Sequence, residues 1–111
     1  MIIRAEDLPV ETRPAPKIGT ATTLLTPAQM HNKNRLFSRV CLKPGGINAT
    51  HTHAGDFEVF YILSGRARVS DNGSMQELKP GDVLFTDAGE SHSIENASDT
   101  DLEYIALITY V

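Results

Sequence analysis

One cysteine, Cys41, stands among 111 residues, so no intrachain disulfide framework exists and a packed core must hold the fold. A lone thiol suits a reducing compartment, and a cytoplasmic location is expected. No apolar run approaches the roughly 18 residues that span a bilayer. The opening MIIRAEDLP meets charges too early for a secretory leader. Basic blocks are missing too. With a net charge of −4 and no Lys/Arg cluster, the chain lacks the footprint of a nucleic-acid binder and the charge for anionic membranes. Helix signals are scarce: only Thr26–Met30 reads as a turn of helix, with Thr26 as N-cap and Pro27 at the first helical position. No internal repeat is visible.

What is present is an ordinary globular composition, 41% hydrophobic and 22% charged, in a length that allows one domain. Short β-rich runs recur roughly every ten residues between Gly, Pro and Asn, the pattern of a sandwich or barrel. The runs are Leu36–Leu42, Phe57–Leu63, Arg66–Val69, Met75–Leu78, Val83–Thr86, His92–Glu95 and Leu102–Tyr110. Asn72-Gly73 is the best hairpin turn, since both residues tolerate the positive φ of a type I′ turn. Lys79-Pro80-Gly81-Asp82 is a second turn. Residues 1–20 read as an N-terminal arm, pairing with the domain or contacting a dimer partner, and residues 21–111 as the single barrel domain. Within the arm, LPVETRPAPKIG reads as an extended or surface segment, with a disordered tail as the competing reading for Pro14–Lys17.

Neither face of the run Phe57–Leu63 is polar: Glu58, Phe60 and Ile62 alternate with Phe57, Val59, Tyr61 and Leu63. The last strand repeats this with Leu102, Tyr104, Ala106 and Ile108 against Ile105 and Leu107. Strands apolar on both sides need cover on both sides, from a second sheet or a partner subunit. A homodimer is expected.

His51 and His53 are two apart, which on a strand puts both imidazoles on one face, where they can share a cation. Glu58 follows after a short link, on the face of Phe60 and Ile62, where an unpaired carboxylate is costly. A metal would remove that cost. His92, after the Ala88–Ser91 turn, could add a third nitrogen. The remaining groups get plainer readings: His31 at the surface, Cys41 in the core, Asp56 and Glu90 as solvated loop carboxylates.

This arrangement resembles the cupin superfamily. Its first motif, G-x5-H-x-H-x3,4-E-x6-G, is met by Gly45, His51, His53, Glu58 and Gly65. Its second, G-x5-P-x-G-x2-H-x3-N, is met by Gly81, Gly89, His92 and Asn96, with Asp87 in place of the proline. The resemblance implies an all-β fold with little helix: a double-stranded β-helix or jelly-roll barrel of about six to eight strands, commonly dimeric. It also implies one divalent metal held by His51, His53, Glu58 and His92. Manganese or iron is favoured, with nickel or zinc possible. Three neutral imidazoles and one carboxylate would leave such an ion a charge of about +1 and about two open positions, suited to a small organic anion.

The resulting expectation is a metal-dependent cupin acting on a small anionic molecule as a dioxygenase, decarboxylase or isomerase. The alternative is a binding or sensing module without turnover, and the least favoured is a structural barrel with a vestigial site. Asn48, Phe60, Tyr61 and Arg39 are the candidate pocket residues. Cupin oxalate decarboxylases and oxidases carry an arginine three residues before the first motif histidine. Asn48 stands there instead, which weakens an oxalate-specific reading.

Overall fold

A computed structural model describes residues 1–111 and contains no α-helix, only a 3-10 turn at Ala5–Asp7. Ten strands follow: β1 (Val10–Arg13), β2 (Gly19–Thr23), β3 (Asn34–Leu42), β4 (Ile47–Thr52), β5 (Asp56–Ser64), β6 (Ala67–Asp71), β7 (Ser74–Leu78), β8 (Val83–Thr86), β9 (Ser91–Glu95) and β10 (Leu102–Tyr110). They form two antiparallel sheets, β1-β2-β3-β10-β5-β8 and β4-β9-β6-β7. The architecture is the cupin double-stranded β-helix.

The turns follow their local chemistry. Asn72 (φ 50°) and Gly73 (φ 89°) close the two-residue hairpin between β6 and β7. Thr26 and Gln29 form a reciprocal capping box: the Gln29 N–H donates to Thr26 Oγ1 and the Thr26 N–H to Gln29 Oε1. The segment behind them goes no further than turns, because the chain must reverse into β3. At Asp87, where the motif has proline, the side chain accepts from the Ala88 N–H while the Glu90 N–H donates to the Asp87 carbonyl. An aspartate-built turn thus does the proline's work.

The residues at even positions of β5 and β10 face inward. Phe60, Ile62, Leu102, Tyr104 and Ala106 join Val40, Leu42, Ala67, Val69, Leu84 and Ile94 in one core. Fully burying each large side chain contributes about 1.5–3 kcal/mol, so this cluster outweighs any surface ion pair in holding the sheets together. Cys41 departs from expectation. Its neighbours Val40 and Leu42 take the inward positions, leaving it half-buried on the outer face of β3. There burial, and next the nearby Asp101 carboxylate, push the thiol pKa up.

The arm is not a tail. Val10–Arg13 pairs with β2, and β2 pairs with β3, so both extend the larger sheet. Pro14–Ile18 forms the turn between them, with the Lys17 and Ile18 N–H groups donating to the Pro14 carbonyl.

Candidate metal centre

His51 lies on β4, His53 just beyond it, Glu58 on β5 and His92 on β9. Two β-bulges aim these groups. Between the pairs Asn48–Ile94 and His51–His92, β4 carries one extra residue, which sets the register at which His51 meets His92. On β3, Leu36 pairs with Ile108 and Asn34 with Thr109, leaving Arg35 as the unpaired residue; its guanidinium reaches Asp56. The two histidine-bearing turns are also tied by backbone. The Gly89 N–H donates to the His53 carbonyl (2.7 Å) and the His53 N–H to the Glu90 carbonyl (3.0 Å).

The four side chains converge, with their ligand atoms all within 4.8 Å of one another. His92 Nε2 lies 3.0 Å from His51 Nε2 and 3.2 Å from His53 Nε2. Glu58 Oε1 lies 3.0 Å from His53 Nε2, 3.0 Å from His92 Nε2 and 3.9 Å from His51 Nε2. Glu58, His53 and His92 are buried, at 4%, 3% and 1% exposure. The His51 side chain is the most accessible of the four and marks the open side.

Each remaining ring nitrogen has a partner: His51 Nδ1 with the Ala49 carbonyl (2.8 Å), His53 Nδ1 with Asp56 Oδ1 (2.7 Å) and His92 Nδ1 with Thr86 Oγ1 (2.7 Å). Ala49 and Asp56 can only accept, so they hold the imidazole proton on Nδ1 and turn the Nε2 lone pair inward; Thr86 can do the same. Neutral rings so oriented point three lone pairs at one another and at a carboxylate. That array repels itself, and a cation at its centre removes the repulsion. The residues present therefore fit a divalent ion.

Asp56 corrects an expectation: it is no solvated loop carboxylate but is buried beneath the site at 4% exposure. Burial acts against its ionisation, yet hydrogen bonds from His53 and Arg35 prevail and hold its pKa below the ordinary carboxylate value. Phe60 stacks on the His92 ring at 4.8 Å and meets Tyr104 edge-on at 4.9 Å, forming an apolar floor.

A cavity of about 560 Å³ opens on the cluster. Asn48 and Phe60 line it, together with His51, His53 and Glu58. Two expected pocket residues do not. Tyr61 is at an outward position of β5 and is 45% exposed. Arg39 points outward from β3 and pairs with Glu103 at 2.7 Å. Sequence reading also missed Arg13, Lys17 and Tyr104, which line the cavity, and Asp56 and Thr86, which hold the histidines. Asp56 had a local signal, a carboxylate three residues after His53. Tyr104 shares its inward register with Leu102 and Ala106. Arg13 and Lys17 had none, because only long-range pairing brings the arm there.

The family model of the cupin domain matches residues 38–108. An oxalate-binding protein of Thermotoga maritima is 54% identical over 85 residues, covering 77% of this chain and 70% of that protein. The polyketide synthase protein TcmJ of Streptomyces glaucescens is 30% identical over 70% of this chain and 52% of its own length. Among solved structures, a predicted oxalate decarboxylase from Thermotoga maritima superposes with a TM-score of 0.90, at 43% identity over 100% of both chains. A double-stranded β-helix, the two motifs converging on one donor cluster, and a family match over most of the chain lead to one conclusion: the chain belongs to the cupin family.

Proposed function

We propose that this cupin holds one divalent ion on His51, His53, Glu58 and His92 and binds a small organic anion at the positions the protein leaves open. The observation that carries the reading is the convergence of three Nε2 atoms and one carboxylate oxygen, each imidazole fixed from behind. Three imidazole nitrogens and one carboxylate oxygen suit manganese, iron, nickel or zinc, and manganese or iron are the first to test. When bound, the ion supplies a Lewis acid with a residual positive charge.

The anion is the finer part of the reading. Arg13, Lys17 and Arg35 line the cavity, and Glu58 is its only acidic lining residue, so the chamber is cationic in a chain of net charge −4. The Thermotoga maritima relative is an oxalate-binding protein, which makes oxalate the first ligand to test. Binding is what the donor cluster supports directly; Lys17 and Tyr104 also line the cavity and are groups able to deliver a proton, so turnover is tested separately. A homodimer and a cytoplasmic site of action complete the proposal, supported by the outer apolar strand faces and by the lone thiol.

The test begins with metal analysis of untagged protein, expected to give about one equivalent per chain. His51→Ala should lose that metal. Calorimetry should then detect oxalate binding to the Mn(II)-loaded protein and none to the metal-free protein. Carbon dioxide release or oxygen uptake in the same mixture would replace binding with turnover. Oxalate binding that ignores metal removal would sink the proposal.

A further inference from the structure

The cupin family match begins at residue 38, yet three of the cations at the cavity come from earlier in the chain. Arg35 is already committed, its guanidinium donating to Asp56 at 2.9 and 3.0 Å. Arg13 and Lys17 are not: both are half-buried, both line the cavity, and neither takes part in any ion pair or side-chain hydrogen bond of the protein. A cation on the cavity wall with no partner in the protein is free to pair with an anionic ligand there.

The arm is also built to stay in place. The Ile47 N–H, at the start of the strand that carries His51, donates to the Pro16 carbonyl (2.8 Å), and the Lys43 N–H donates to the Ile18 carbonyl (2.8 Å). Gly46 leaves room for this contact, since a Cβ there would lie 2.5 Å from the Lys17 carbonyl oxygen. The turn between β1 and β2 is thus fixed to the rim of the metal chamber.

Tyr104 adds a third group. The residue is 1% exposed and lines the same cavity. Its hydroxyl makes no hydrogen bond to the protein, and no fully enclosed side-chain nitrogen or oxygen lacks a partner, so the hydroxyl opens onto the cavity. Burial, and next the Glu58 charge, raise its pKa far above the ordinary phenol value, so it remains a neutral donor.

We infer that Arg13, with Lys17 and the Tyr104 hydroxyl, forms a second anion subsite facing the metal, so that the site takes a short dicarboxylate rather than a monocarboxylate. One carboxylate binds the ion; the oxygens turned away from it accept hydrogen bonds from the arm and from Tyr104. The arm thereby supplies the cation that Asn48 does not. This inference rests on the metal-centred anion site proposed above, and it adds the residues and the charge class that select the ligand.

The experiment is calorimetry on the Mn(II)-loaded full chain with oxalate, malonate and acetate as probes. Arg13→Gln should weaken oxalate and malonate by about tenfold or more, the loss of one charge-assisted pair. It should weaken acetate far less and leave manganese content unchanged, and Arg13→Lys should recover part of the loss. Lys17→Gln and Tyr104→Phe should each cost about threefold to tenfold on the dicarboxylates alone. Wild-type affinity of Arg13→Gln for both dicarboxylates would overturn the inference while leaving the metal-site reading intact. Equal losses for acetate and dicarboxylates would also overturn it, because the arm would then act only as scaffold. If the loaded wild-type protein binds none of the three probes, the anion-site reading itself fails.

Discussion

At the scale of single residues, the metal centre depends on groups that never reach the ion. Asp56 holds His53 Nδ1 at 2.7 Å and is itself held by the exposed Arg35 guanidinium, so one imidazole is aligned by a buried carboxylate that is anchored from the surface. Outer partners of this kind raise ligand basicity and lock ring orientation. Asp56→Ala should therefore weaken Mn(II) affinity by about 10–100-fold, measured by competition with a chelator. Asp56→Asn keeps an oxygen that can accept from Nδ1 and should lose less. Equal affinity of Asp56→Ala and wild type would show that His53 needs no such support. The four ligands themselves were legible in the sequence because their spacing is local to each motif. Asp56 was misread because its loop looks solvated until the bulge at Arg35 brings a guanidinium over it.

At the scale of elements, the decisive feature is a close approach between the arm turn and the start of β4. Gly46 has no positive φ, so its role is space: a methyl group there would meet the carbonyl oxygens of Lys17 (2.5 Å), Ile18 (3.0 Å) and Lys43 (3.0 Å). These are backbone atoms, which cannot rotate aside. Gly46→Ala should push the arm turn off the rim and cost about 1–3 kcal/mol in denaturant unfolding. Hydrogen exchange at the Ile47 and Lys43 amides, which bond to the Pro16 and Ile18 carbonyls, should quicken. An unchanged exchange rate at Ile47 would show that the turn is not anchored there. This contact also explains what the sequence did not yield. The β-runs from Leu36 onward were readable from alternation and turn chemistry, and Val83–Thr86 and Leu102–Tyr110 coincide with β8 and β10. Residues 10–23 carry prolines and threonines rather than a strong apolar alternation, so their strand state depends on pairing with β3. Tyr61 and Arg39 failed as pocket residues for a related reason: on two-faced strands, composition does not say which face is inward.

At the scale of the molecule, that outward face is the remaining question. Tyr61, Leu63, Val83 and Phe85 are exposed at 45%, 37%, 58% and 52%, and Phe57, Val59, Ile105 and Leu107 lie half-buried beside them. Together they make one apolar surface across β5, β8 and β10, with Phe57 and Phe85 in edge-on contact at 5.4 Å. The rim on the β3 side is polar, held by the Arg39–Glu103 pair at 2.7 Å. An apolar centre with a charged edge is the anatomy of an interface, and one continuous patch suits a two-fold pairing in which the same face meets itself. A stable interface of standard size needs about 800 Å² from each partner. Light scattering at micromolar concentration should therefore give twice the 12.1 kDa chain mass. Replacing Val83 and Phe85 by glutamate should place like charges opposite one another across the two-fold axis and return the protein to monomer. Both side chains point away from the metal chamber, so manganese content should stay at its wild-type level. A wild-type mass of one chain would refute the pairing. A dimer that survives both charges would place its interface on another face.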